Sequence, residues 1–374
     1  MGGTKMAPGN TLQELHKLGQ SIWLDFIRRT LVTSGELQQL VDAGLRGMTS
    51  NPTIFEKAIA GSSDYDEALR QALAANPAMD TVPLYERLAI EDIQMAADVL
   101  RPVYDSTNGA DGFVSFEVAP DLAYNTQVTL SEARRLWKAI ARPNLMIKVP
   151  ATKEGVFAVE TLIAEGINVN VTLMFSLAHY EAVAQAYIRG IEKNKNPQGA
   201  ASVASFFVSR VDTLVDKELE RNGSPDALAL RGKAAIANSR IVYQRFQEVF
   251  ESPRFQKLAE KGARVQRPLW ASTGTKNPAY SDVLYVDELI GPHTVNTLPP
   301  ATLEAFRDHG AVKLTLTGRL AEARQVLAGL AKAGIDLAAI TETLQSQGVT
   351  LFADSYKQLL TALEAKREKI ADVR

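Results

Sequence analysis

Residues 145–150 read Leu-Met-Ile-Lys-Val-Pro and residues 166–173 read Gly-Ile-Asn-Val-Asn-Val-Thr-Leu. Both are short β-rich runs in which polar side chains alternate with apolar, often β-branched ones. Working outward, eight such runs recur: Ser21–Phe26, Leu45–Asn51, Phe113–Val118, Leu145–Pro150, Ile167–Met174, Ser202–Val208, Pro268–Thr273 and His293–Leu298. Amphipathic stretches with apolar residues at helical spacing lie between them, among them Leu130–Ala141, Leu177–Lys193 and Ala227–Phe250. Eight strands alternating with helices predict an α/β protein, a (β/α)₈ TIM barrel. The chain of 374 residues exceeds a typical barrel of about 250 but fits one carrying insertions. A single domain over residues 1–374 is therefore expected, with two domains as the alternative.

Additional helices belong in the long connections. Pro52–Gly112 has room for at least two, including the strongly patterned Pro83–Leu100, and Asp212–Gln266 for another two. From Pro299 onward the pattern reads as helical throughout, starting at Pro299–Thr302 and finishing in a basic-acidic helix near Leu351–Val373. Met1–Asn10 is Gly/Pro-containing and is expected to be flexible.

Composition narrows the function classes. A formal net charge of -2, from 41 Lys+Arg against 43 Asp+Glu, offers no basic surplus for a nucleic-acid backbone or an anionic membrane. The absence of cysteine excludes disulfides, thiolate metal sites and cysteine nucleophiles. Four histidines, at 16, 179, 293 and 309, lack metal-ligand spacing, so no metal is expected. His293, opening the last strand, reads as structural. With no secretory signal pattern and no long uncharged apolar run, a cytoplasmic protein is the expectation.

In a parallel barrel, polar residues that face inward near the carboxyl ends of strands need a reason. Asp25 shares a face with Trp23, Thr49 with Asn51, and Ser115 with Glu117. Lys148 stands between Ile147 and Val149, and Asn168, Asn170 and Thr172 alternate with Val169, Val171 and Leu173. Ser205 and Phe207 form another pair, and Trp270 and Ser272 another. Burying Asp25, Glu117 and Lys148 separately would cost several kcal/mol per unpaired ion, so one shared barrel mouth is the economical arrangement.

These residues resemble the transaldolase family. The resemblance rests on an ordered set: the early strand aspartate, Thr49-Ser50-Asn51-Pro52, Ser115-Phe116-Glu117-Val118, Ile147-Lys148-Val149-Pro150 followed by Ala151-Thr152-Lys153-Glu154-Gly155, residues 166–173, and Ser205-Phe206-Phe207-Val208-Ser209-Arg210. The length and the loop Trp270–Pro278 are similar to those of the longer bacterial subgroup. The resemblance implies a barrel without a cofactor that moves a dihydroxyacetone unit from sedoheptulose 7-phosphate to glyceraldehyde 3-phosphate, giving erythrose 4-phosphate and fructose 6-phosphate. It implies Lys148 as the Schiff-base nucleophile, Glu117 as acid and base through a water that Thr172 helps to hold, and Asp25 as the base for the C4 hydroxyl. A free lysine titrates near about 10.4, and desolvation in a barrel is expected to lower that value. Asn51 and Asn170 would hold the three-carbon fragment. Thr49, Ser205, Phe207, Arg210 and Ser272 complete the implied substrate set.

Shorter members of the family carry an arginine two residues after the position of Ser272. This chain has Gly274 there and Lys276 two further on, so Lys276 is expected to supply the phosphate cation, with the Gly274 backbone close by. Lys153 is the rival lysine, placed by its neighbours at a helix start. The alternatives are a Schiff-base aldolase that releases its fragment, and a non-catalytic sugar-phosphate binder on the same barrel. Partners are phosphorylated ketoses and aldoses; oligomeric state stays open, a homodimer included.

Overall fold

A computed structural model describes residues 10–371 of the chain. The flexibility expected for Met1–Asn10 concerns residues that, apart from Asn10, lie outside this range. Eight parallel strands close into one barrel in sequence order. They are β1 (Gln20–Asp25), β2 (Gly47–Thr49), β3 (Phe113–Glu117), β4 (Leu145–Pro150), β5 (Val169–Met174), β6 (Ser202–Phe207), β7 (Arg267–Ala271) and β8 (Thr294–Leu298). Each overlaps its expected range, and β8 pairs with β1 to complete the closure. Parallel neighbours need a crossover connection, and the intervening helices supply it. Apolar side chains such as Val114, Phe116, Ile147, Val149, Val169 and Val171 are fully buried.

The lower half of the barrel interior is closed by an indole. Trp23 points inward, and its Nε1 donates to Asp111 Oδ1 at 2.9 Å, while the Arg267 guanidinium lies 6.0 Å from the ring and 3.3 Å from the same carboxylate. Gly47 sits beside it because a Cβ there would stand 2.5 Å from the indole. A cavity of about 440 Å³ remains at this end, among Ser21, Asp111, Met146 and Arg267, while the polar residues expected at the site gather at the carboxyl ends of the strands.

The connection from Pro52 to Gly112 meets expectation, and the later ones depart from it. Residues 52–112 hold three helices, Pro52–Ala60, Asp66–Ala75 and Thr81–Ser106. The stretch Ala227–Phe250 is broken into Pro225–Leu228 and Ala234–Phe250: Gly232 between them has φ +69, and its N–H donates to Asp216. With Ser209–Asn222 and Pro253–Ala259, this connection holds four helices rather than two.

The region after Pro299 is not helical throughout. Residues 310–319 form an irregular segment, anchored by the Thr315 hydroxyl, which donates to Asp287 O at 2.5 Å and accepts from the Ile290 N–H. The last helix runs Leu337–Ala371 and so starts well before Leu351. Gly348 weakens its helical reading in the sequence, and the fold supplies the reason for the glycine: a Cβ there would lie 2.8 Å from the Leu173 side chain. This helix lies over the barrel mouth. Gln345 Nε2 donates to Ala151 O and Leu173 O at 3.0 and 3.1 Å, and Thr53 Oγ1 donates to Ser355 Oγ at 2.8 Å. No described helix is long and apolar enough to cross a membrane.

Candidate active site

Adjacent strands bring the ionisable groups together by register. Glu117 on β3 is level with Lys148 on β4, and Lys148 with Asn170 on β5; Asp25 on β1 is level with Thr49 on β2. Lys148 is 4% exposed. Its Nζ donates to Ser50 O at 2.9 Å and lies 3.1 Å from Glu117 Oε2, a contact of ion-pair distance without hydrogen-bond alignment, since that oxygen has no hydrogen-bond partner among the described residues. Above the amine, the Phe352 ring of the last helix lies with its centroid 5.9 Å from Nζ.

Burial pushes the Glu117 carboxyl above its ordinary range, and the Lys148 charge partly offsets this. Asp25 is likewise raised by burial; Lys148, a hydrogen bond from Thr49, and the charges of Lys276 and Arg210 oppose the shift. Thr49 Oγ1 donates to Asp25 Oδ1 at 2.7 Å and shares a second contact of 2.7 Å with Thr297 Oγ1. The half-buried Arg210 stacks 5.5 Å above the Phe207 ring. Desolvation lowers the Arg210 guanidinium below its usual value, and Asp25 opposes this.

Asp25, Thr49, Asn51, Lys148, Thr172, Ser205, Phe207, Arg210, Ser272 and Lys276 all line one cavity of about 470 Å³ at the barrel mouth. Two expected residues do not. Asn170 is fully buried beneath it, donating to Ser115 Oγ at 3.0 Å and accepting from Ser205 Oγ at 2.6 Å. Glu117 lines a separate, smaller cavity on the other side. The Asn51 side-chain oxygen caps helix Pro52–Ala60 by accepting from Ile54 N–H at 3.0 Å, which leaves its amide nitrogen as the donor for a ligand. The Thr172 hydroxyl is buried without a partner among the described residues. Lys153 starts a helix, as its neighbours suggested.

Trp270 and Ser272 do not share the face that their spacing predicts. Trp270 stacks edge-on against Phe206, whose neighbours Ser205 and Phe207 line the cavity, so Trp270 points away from the mouth and Ala271 points into it. Ser272 reaches the cavity because its φ of +56 reverses the strand's alternation; its Oγ is 3.0 Å from Ser209 Oγ. Gly274 also lines the mouth, and a Cβ there would come 3.1 Å from Thr302 Oγ1.

The sequence reading missed Lys57, Thr297 and Phe352, all on the cavity wall. Lys57 lies one helical turn beyond Ile54 on the helix that Asn51 caps, so i,i+3 spacing carried a usable signal. Nothing local to Phe352 marks it.

A closed parallel barrel whose mouth holds a buried lysine beside two carboxylates, with exposed and half-buried cations on the rim, has the form of a barrel enzyme for anionic carbonyl substrates. The chain belongs to the transaldolase/fructose-6-phosphate aldolase family, whose model matches residues 22–363. Among its relatives, a transaldolase of Frankia alni is 49% identical over 357 residues, covering 94% of this chain and 96% of that one. A transaldolase of Mycobacterium ulcerans is 48% identical over 367 residues, with 96% and 98% covered. Transaldolase 2 of Nostoc is 47% identical over 380 residues, with 97% and 99% covered.

Proposed function

We infer that this protein is a transaldolase, a cytoplasmic transferase of the pentose phosphate pathway built as a single barrel domain. It carries a dihydroxyacetone unit from sedoheptulose 7-phosphate to glyceraldehyde 3-phosphate, giving erythrose 4-phosphate and fructose 6-phosphate. The observation that carries the reading is the Lys148 amine, buried inside the barrel within 3.1 Å of a carboxylate and roofed by Phe352. The family description covers both transfer and aldolase release; the names of the close relatives support transfer.

Lys148 adds to the ketose C2 carbonyl and Glu117 takes and returns protons through a water. The unpartnered Thr172 hydroxyl is suited to holding that water. Asp25 removes the C4 hydroxyl proton as the C3–C4 bond breaks, and the positive iminium accepts the electron pair. Asn51, with Asn170 and Ser205 behind it, orients the remaining three-carbon enamine. Arg210, Lys276, Ser272 and the Gly274 backbone receive the phosphate, Arg210 by its planar fork and Lys276 as a point charge. The Phe352 roof keeps bulk water from the enamine until an aldehyde arrives.

Incubation with fructose 6-phosphate and borohydride, followed by intact mass and peptide mapping, tests this reading. A reduced three-carbon adduct on Lys148 is expected. A folded protein that takes no adduct, or takes it on Lys153, would overturn it. Steady release of free dihydroxyacetone without an acceptor would instead identify an aldolase.

A further inference from the structure

Imine chemistry must move water as well as sugar. The Lys148 amine adds to C2 and one of its protons passes to the C2 oxygen. The C2–O bond then breaks as that oxygen takes a second proton, passed from the Glu117 carboxyl through the bound water, and one water departs beside an iminium. Hydrolysis reverses each step and consumes one water. During both, the sugar phosphate fills the mouth.

The two cavities divide these tasks. The larger, of about 470 Å³, holds Lys148 and the phosphate-facing residues but not Glu117. The smaller holds Glu117 but not Lys148, and its volume is about 20 Å³. That is room for one or two waters and far too little for a sugar phosphate. Ser50 and Asn51 form the wall on the Lys148 side, Asn51 belonging to both cavities. Its middle is apolar, lined by Phe55, Phe116, Val118 and Leu136. At the far end stand half-buried Glu86, Glu132 and Tyr356. There Arg135 holds both carboxylates, Glu132 Oε1 at 2.6 Å and Glu86 more closely still. A cleft of this volume, apolar apart from the carboxylates among its lining residues, has room for water and none for larger polar molecules.

We propose that this cleft is a water port, through which water leaves and reaches the Glu117 side of the imine while substrate occupies the mouth. The proposal rests on the Lys148 imine of the preceding section. Its test is the exchange of carbon-13-labelled glyceraldehyde 3-phosphate into fructose 6-phosphate in oxygen-18 water, counting oxygen-18 gained at C2 per carbon-label exchange above the spontaneous background. Each exchange includes at least one hydrolysis, so an open port gives a ratio of one or more. Ala119→Leu and Leu136→Phe, each filling the cleft from a different wall, should lower that ratio at least twofold, because the released water is trapped and used again.

A wild-type ratio well below one would overturn the port, as would an unchanged ratio in both folded variants, which would route water through the mouth. Where neither variant folds, the smaller Ala119→Val fills the same wall and is read for the same two outcomes. A wild-type protein that exchanges neither carbon nor oxygen would instead sink the imine reading itself.

Discussion

The Thr49 hydroxyl donates to Asp25 Oδ1 at 2.7 Å, and this hydrogen bond is among the forces that hold the raised Asp25 carboxyl down. Asp25 works as a base only when ionised, so its activity is lost as pH falls through its folded value. Thr49→Val keeps the shape and removes the donor. The acidic limb of the kcat profile should therefore move to higher pH by about half a unit to one unit, a change worth roughly 1 kcal/mol. An acidic limb in the same place would separate Thr49 from the titration of Asp25.

Asp25→Asn should leave imine formation in place and stop carbon–carbon cleavage. The borohydride adduct of fructose 6-phosphate on Lys148 then becomes a six-carbon phosphorylated one, in place of the three-carbon fragment, and kcat drops by about 10²-fold or more. Mass spectrometry of the trapped peptide distinguishes the two. A three-carbon adduct formed at the wild-type rate would assign the C4 proton to another group.

How much of this site was readable in the sequence depended on whether local alternation survived folding. Lys148 between Ile147 and Val149, and Ser115 two residues before Glu117, obey the twofold period of a regular strand, and the register of β3, β4 and β5 brings them level. Ser272 does not obey it. Its left-handed backbone turns two successive residues, Ala271 and Ser272, toward the cavity, and a serine gives no notice of that. Phe352 was beyond reach for another reason: it approaches Lys148 from more than two hundred positions away along the chain, on a helix whose packing over the mouth no local pattern encodes. The eight strands were legible because β-branched runs between turns are local. The break at residues 310–319 rests on Thr315 bonding to Asp287 and Ile290, a tertiary contact that no window of the sequence contains.

Lys276 is exposed, lines the mouth and bears electrostatically on Asp25. Lys276→Ala should raise KM for fructose 6-phosphate about tenfold while changing kcat less than twofold, since a cation on the distal phosphate binds ground state and transition state alike. Lys276→Arg should recover most of the loss. Unchanged KM and kcat would leave Lys276 a solvated turn residue.

Gly47→Ala should destabilise the barrel even though the added group is a single methyl. Its Cβ would lie 2.5 Å from the Trp23 indole, and Trp23 is pinned by its bond to Asp111, so the ring cannot move aside cheaply. A loss of about 1 to 3 kcal/mol is expected from overpacking, read as a lower denaturant midpoint at unchanged slope. The double variant Gly47→Ala with Trp23→Phe, which relieves the clash, should recover part of it. Absence of any recovery would locate the cost elsewhere in β2.

Asp212, buried between helices Ser209–Asn222 and Ala234–Phe250, makes stability fall with pH. Its Oδ1 accepts from the Ala235 N–H at 2.7 Å and its Oδ2 from the Tyr285 hydroxyl at 2.9 Å, yet burial, helped by the charge of Asp216, raises its pKa to about 7. Folding then takes up a proton between the unfolded value, near about 4, and the folded one. The protonated group's contribution is complete below the unfolded value and is lost as pH rises toward 7. From pH 5 to pH 8 the wild-type protein should lose roughly 2 to 3 kcal/mol relative to Asp212→Asn, whose amide oxygen still accepts from Ala235 and whose amide nitrogen can donate to Tyr285. Urea denaturation of both proteins at pH 5 and pH 8 measures that difference directly. An equal gap between them at the two pH values would mean that Asp212 is ionised in the folded state throughout, with the bonds from Ala235 and Tyr285 outweighing its burial.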